Sequence, residues 1–106
     1  MTERIVWTGS LLRWGGDSGA QNWFYFAIDG AAAEELAGVA MMRRLELGKR
    51  QGFGSVKVAV RIGETRWASS VFPQKGGNWL LPVKATVRKA EHIGEGDLVT
   101  LELEVL

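Results

Sequence analysis

The residues in this sequence that best suit a binding site are basic side chains interleaved with tryptophans. A cationic side chain beside an exposed ring suits an anionic partner, because the cation pairs with a phosphate or carboxylate while the ring stacks on a planar group. Trp23 is a further candidate for the stacking surface. The sequence predicts a ligand- or nucleic-acid-binding surface made of Lys57, Arg61, Arg66, Trp67, Trp79, Lys84, Arg88 and Lys89.

Charge is distributed unevenly along the chain. Residues 43–89 hold eleven basic and two acidic residues, whereas residues 90–106 hold five acidic and no basic ones. Such asymmetry marks a surface for an anionic partner if the basic residues converge. It is an ordinary solvated face if folding mixes the segments and the tryptophans pack in the protein wall. A module that recognises a protein or a small ligand through Trp and Arg anchors fits the same residues.

Residues for catalysis or metal binding are sparse. The chain has no cysteine, and its one histidine, His92, lies at the predicted end of a helix, where a cation complements the helix dipole. Ser69 and Ser70 have no base placed beside them. The Gly-x-Gly motifs at 52–54 and 94–96 lack the third glycine of a dinucleotide loop and are interpreted as turns. We therefore expect no catalytic residue, metal site or cofactor, and an enzyme is the less favoured alternative to a binding module.

The last third of the chain predicts a strand, a short helix, a glycine turn and a second strand. Pro82 suits a helix start, because its φ is fixed and it lacks an N–H. Val83, Val87 and Ala90 follow at helical spacing. Apolar residues then alternate with polar ones to the end of the chain, which is typical of a half-buried strand. The predicted inward face of that strand consists of Val99, Leu101, Leu103 and Val105.

The upstream sequence predicts four more strands and a longer helix. Period-two patterns or β-forming residues cover Ile5–Arg13, bent at Gly9, and Asn22–Ile28. They also cover Val56–Ile62 and Thr65–Phe72. Helix-forming residues predict a helix over Ala31–Arg44, and Asp29 suits the N-cap position. The predominant element is therefore the β-strand.

Two halves of the chain match in the type and order of their elements. Trp7–Leu12 resembles Trp67–Phe72, and Asn22–Ile28 resembles Asn78–Lys84. We therefore predict one domain over 1–106 with pseudo-repeat halves 5–62 and 65–105. Two such units can bury their apolar faces by closing on each other, as a small, closed, pseudo-two-fold barrel of about six strands whose ends two helices cap. Its predicted interior holds Phe24, Phe26, Ile28, Val56, Val58, Val60, Leu80, Val99, Leu101 and Leu103.

The run Leu81–Ala90, followed by Gly96-Asp97-x-Val99, resembles the signature of a bacterial family called domain of unknown function 1905. Gly52–Val58 and Trp67–Pro73 fit its earlier blocks. The resemblance implies a double-split β-barrel and no established activity. The same strand–Pro–helix–Gly-Asp–strand unit also resembles, locally, the swapped-hairpin DNA-binding domains of the AbrB and MazE type, in which two chains complete one barrel. That second resemblance implies nucleic-acid binding as an alternative function.

Bulk composition is that of an ordinary globular chain. Of its 106 residues, 46% are apolar and 24% are charged, which argues against disorder. No apolar run approaches the roughly 20 residues that span a bilayer. The absence of cysteine and of a secretory segment predicts a soluble, cytoplasmic protein with no membrane partner. Because one chain supplies both predicted halves, we expect a monomer in preference to a dimer.

Overall fold

A computed structural model describes residues 4–15, 23–47 and 54–106 of the chain. Over these ranges the protein is mainly β, as predicted, with seven strands and two helices. In chain order the elements are β1 Arg4–Ser10, β2 Leu12–Trp14, β3 Trp23–Ile28, α1 Gly30–Leu47, β4 Val56–Ile62, β5 Thr65–Pro73, β6 Trp79–Pro82, α2 Ala85–Glu91 and β7 Leu98–Val105.

The seven strands form one antiparallel sheet in the order β1-β7-β4-β5-β6-β3-β2. Strands β1 and β2 lie at opposite ends of this order, yet only Leu11 separates them in sequence. The sheet must therefore curl until its two ends approach each other, and it has the shape of a half-barrel. β1 and β3 lie close together across this approach.

Leu11 divides a segment that the sequence predicts to be one strand bent at Gly9. Its side chain is fully buried, and its N–H donates to the carbonyl oxygen of Asp97 at 2.9 Å. Its own carbonyl accepts from the N–H of Gly96 at 2.8 Å. These two hydrogen bonds tie Leu11 to the turn before β7, and strand pairing changes at this residue. β1 before it pairs with β7, whereas β2 after it pairs with β3. This division explains why there are seven strands where about six are predicted.

Strict alternation in the long strands builds the core. Eight of the ten predicted interior residues are buried, and Phe24 is partly buried and packs against them. The assignment of Leu80 to the interior is wrong, because Trp79 and Leu81 on either side of it are the buried residues of β6. Trp79 pairs with Ile28 across the sheet, and this register turns Leu80 to the other face.

The two helices cover different parts of the sheet. Helix α1 continues past the predicted end at Arg44 and buries Ala32, Ala33 and Leu36 beside β1. Helix α2 packs against β5 and ends at Glu91, and the next residue, His92, is its C-cap with a left-handed backbone at a φ of 54°. The prediction that His92 lies at the end of this helix is confirmed. No helix in the described part of the chain is long and apolar enough to span a membrane.

Candidate ligand-binding cavity

A cavity of about 430 Å³ opens between β5, the start of β3 and the start of α2. We call it the cationic cavity, because Lys84 and Arg88 line it and none of its described lining residues is acidic. Three of the predicted binding residues, Trp67, Lys84 and Arg88, thus meet at one place. The complete lining is Trp23, Phe24, Trp67, Ala68, Ser69, Pro82, Val83, Lys84, Ala85 and Arg88.

Strand alternation and one backbone hydrogen bond position this lining. On β5, Trp67 and Ser69 share the inward face, because their partners across the sheet, Val60 and Val58, are buried. The N–H of Val83 donates to the carbonyl oxygen of Phe24 at 2.8 Å, which holds the start of α2 against β3. The cavity therefore has walls from the sheet and from the helix.

Arg88 is held in the cavity wall by an aromatic ring. Its guanidinium carbon lies 3.7 Å from the centroid of the Phe24 ring, a cation–π geometry. Its Nε atom is buried and has no hydrogen-bond partner among the described residues. An arginine side chain stays charged in proteins and presents donors in a planar fork. The Phe24 ring therefore fixes the position of this cation, and at least one of its N–H donors has no partner among the described residues.

Three other predicted binding residues, Lys57, Arg61 and Arg66, lie on a different surface. They occupy the outward face of β4 and β5, and Arg66 points away from the side that its neighbour Trp67 faces. Arg61 forms an ion pair with Glu102, which also pairs with Arg4 at 3.2 Å. The predicted basic surface is therefore divided in two, and its outer part is of mixed sign.

Two predicted binding residues stand apart from both groups. Lys89 is exposed on α2 and does not line the cationic cavity. The prediction that Trp79 offers a stacking surface is wrong, because its side chain is only 5% exposed. Its cross-strand partner Ile28 is also buried, and partners in an antiparallel pair share a face. Trp23, the alternative, is 56% exposed.

A second cavity, of about 380 Å³, adjoins the first. We call it the aromatic cavity, and sequence reasoning missed it. Trp14 and Trp23 are direct cross-strand partners at its wall, and Trp14 is 67% exposed. Its full lining is Trp14, Trp23, Phe24, Tyr25, Gln74, Leu80 and Pro82. The available signal was the alternation that puts Trp23 and Tyr25 on the face opposite Phe24.

The surroundings of Trp7 contrast with those of Trp67. The indole Nε1 of Trp7 donates to Oδ1 of Asp29 at 2.9 Å. Its ring meets Phe26 edge-on, with centroids 5.6 Å apart, and covers the backbone of Gly9. Trp7 is therefore buried in a filled site, whereas Trp67 borders an open one.

Comparison with known families agrees with the resemblance noted in the sequence. The model of the family described as domain of unknown function (DUF1905) matches residues 7–103. The chain belongs to this family. No curated protein matches it. The described part of this DUF1905 domain contains no group of three or more His, Cys, Asp or Glu side chains that could hold a metal ion. The family description assigns no activity, so function has to be inferred from the two cavities.

Proposed function

We propose that this DUF1905 domain is a non-catalytic binding module for a small anionic ligand held in the cationic cavity. The observation that carries the proposal is the convergence of Lys84 and Arg88 on one concave surface with the rings of Trp23 and Trp67. Charge-assisted hydrogen bonds from Lys or Arg to a carboxylate, phosphate or sulfate are stronger than neutral ones. Arg88 rests on Phe24, so little side-chain freedom remains to be lost when the anion binds.

We propose in addition that the domain is a duplicated, closed double-split barrel whose halves are 5–62 and 65–105. The pairing registers support this arrangement. Superposing Trp7 on Trp67 makes pairs formed by β1 and β2 coincide with pairs formed by β5. The coincident pairs are Trp7–Leu101 with Trp67–Val60, Leu12–Tyr25 with Phe72–Leu80, and Arg13–Phe24 with Pro73–Trp79. Because one chain provides both halves, a monomer completes the sheet.

The proposed duplication gives the cationic cavity a filled counterpart. In the first half Asp29 precedes α1 and binds the indole of Trp7, which also covers Gly9. In the second half Lys84 precedes α2, and Ser69 stands where the first half has Gly9. An acceptor has thus been replaced by a cation, and the second site is open. The site is filled in the first half, and it is open and cationic in the second. This difference is expected if the second half binds an anion.

Nucleic-acid binding is the alternative, and it draws on Lys57, Arg61 and Arg66 on the outer face. An extended phosphate backbone requires a continuous cationic surface. Glu102 interrupts this face, because it pairs with both Arg4 and Arg61. The outer face therefore fits an extended polyanion less well than the cationic cavity fits a small anion.

A sulfate titration followed by NMR tests the proposed function. Sodium chloride is exchanged for sodium sulfate at constant ionic strength, and backbone amide and indole N–H shifts are recorded. We expect the saturable shifts to centre on Ala85, Arg88 and the indoles of Trp23 and Trp67. The double variant Lys84→Met/Arg88→Met should lose them.

The matched control is the double variant Lys57→Met/Arg66→Met, which removes the same charge from the outer face. It should keep the sulfate response. If both double variants lose the sulfate response equally, net charge alone explains it and the proposal is wrong. A dispersed spectrum for each variant verifies folding, and an Arg88→Lys variant, which keeps the charge, tests the site if Arg88→Met fails to fold. Salt-sensitive binding of an oligonucleotide that only the outer-face variant abolishes would favour the nucleic-acid alternative.

A further inference from the structure

We infer that the ligand has two parts, an anionic group held in the cationic cavity and a planar aromatic group held in the aromatic cavity. This inference rests on the proposed function and specifies its ligand class. The two cavities share Trp23, Phe24 and Pro82 in their linings. The two cavities therefore adjoin at the start of β3 and the end of β6, and our inference is that a single molecule spans them.

The chemistry of the two cavities differs across this shared wall. The cationic cavity contributes Lys84, Arg88 and the hydroxyl of Ser69. The described lining of the aromatic cavity has no charged side chain, and Gln74 is its one amide. A molecule that fits both cavities has its charge at one end only, and the opposite end is uncharged.

The aromatic cavity favours a flat group over a flexible chain. Trp14 and Trp23 stand opposite each other on β2 and β3, and Tyr25 follows on the same face of β3. Cross-strand ring pairs provide broad, rigid surfaces that stack on planar systems, and stacking tolerates many ring types. Leu80 and Pro82, which occupy this face of β6, extend the apolar floor.

Exposure of these rings supports a binding role. Trp14 and Trp23 are 67% and 56% exposed, although large aromatic side chains gain most from burial. Exposed apolar surface bordered by polar residues is typical of binding sites. Stacking one ring of a ligand here should tighten binding roughly tenfold relative to the anion alone.

Three probes measured by the same NMR titration test this inference. The first is inorganic sulfate, the second a naphthalenesulfonate, and the third octyl sulfate, which carries an alkyl chain in place of rings. We expect the naphthalenesulfonate to bind at least about tenfold more tightly than sulfate and more tightly than octyl sulfate. Shifts caused by the naphthalene rings should extend to the indole of Trp14 and the amide of Tyr25.

The variant Trp14→Ala should remove most of the gain from the naphthalene rings and leave the affinity for sulfate unchanged. Trp14 lines only the aromatic cavity, so a loss of sulfate binding is not expected. The control is Phe72→Ala, which removes a partly exposed ring that lines neither cavity and should keep the gain.

The possible failures are distinguishable. If sulfate binds at Arg88 and the naphthalenesulfonate binds no more tightly, the two-part ligand is wrong and the proposed function stands. If octyl sulfate gains as much affinity as the naphthalenesulfonate, or if Trp14→Ala leaves the gain intact, the inference of a planar group is also wrong. If none of the three probes binds in the wild-type domain, the proposed function itself fails.

Discussion

The guanidinium of Arg88 lies 3.7 Å from the ring centroid of Phe24, joining α2 to β3 at the wall of the cationic cavity. The backbone hydrogen bond from Val83 to Phe24 ties the same two segments together. The position of this cation is therefore set by the fold before any ligand arrives. Such preorganisation raises affinity, because the ordering of the side chain has already been achieved during folding.

We expect Arg88 and Phe24 to stabilise the fold cooperatively. In a double-mutant cycle with Arg88→Met and Phe24→Leu, the coupling free energy should be about 1 kcal/mol, as for a partly desolvated cation–π pair. Urea unfolding of the four proteins measures it. The neighbouring exposed residue provides a control, since Lys89→Met should change the unfolding free energy by less than about 0.5 kcal/mol. Additive single effects would contradict the predicted coupling.

A methyl group at Gly9 should destabilise the fold strongly. The added Cβ would overlap the indole ring of Trp7, which is packed against Phe26 and cannot simply move away. Overpacking of this kind costs about 1–3 kcal/mol, so Gly9→Ala should lower the unfolding free energy by that amount.

Gly38→Ala is the matched control for the change at Gly9. Gly38 lies inside α1, and nothing surrounds the position where its Cβ would be added. Alanine is the better helix former, so this substitution should raise the unfolding free energy by about 0.5–1 kcal/mol. Thermal or urea unfolding compares the two variants, and effects of the same sign would contradict the packing described for Trp7.

The hydrogen bond from Trp7 to Asp29 should contribute measurably to stability. Asp29→Ala removes its acceptor and should cost about 1–2 kcal/mol, because the indole N–H of a buried ring then lacks its partner. Asp29→Asn keeps a side-chain oxygen and should cost less. In a Trp7→Phe background, which has no donor, most of the cost of Asp29→Ala should disappear. An unchanged cost there would show that Asp29 acts without Trp7.

Much of the fold could be predicted from local pattern. Alternation assigned the inward faces of β4 and β7 correctly, because both strands are long and one face of each is buried. It failed at β6, which has only four residues. There the sequence predicts a helix start at Pro82, whereas Pro82 is the last residue of the strand and α2 begins at Ala85. The match of Asn22 to Asn78 aligns Leu80 with Phe24 and so predicts an inward Leu80, whereas Leu80 pairs with Ala27 on the opposite face.

The grouping of the binding residues could not be predicted from the sequence. Arg66 and Trp67 are neighbours in the chain but point to opposite faces of β5, so their proximity in sequence is misleading. The pairing of Arg61 with Glu102 joins β4 to β7 and depends on long-range register. No local signal indicates such a contact. The meeting of β5 with the start of α2, which creates the cationic cavity, is long-range in the same sense.

Glu102 should restrain the outer face from binding polyanions. Its carboxylate pairs with Arg4 and Arg61, and the side chain is only 22% exposed. Glu102→Gln should release both arginines, lower the unfolding free energy by about 1 kcal/mol and increase salt-sensitive binding to a mixed-sequence oligonucleotide. Glu104→Gln is the matched control, because it makes the same charge change on the same face of β7, where no ion pair involving Glu104 occurs within the described ranges. Fluorescence anisotropy at low and raised salt compares the two variants. If both raise oligonucleotide binding equally, net charge alone controls it and the specific role of Glu102 is wrong.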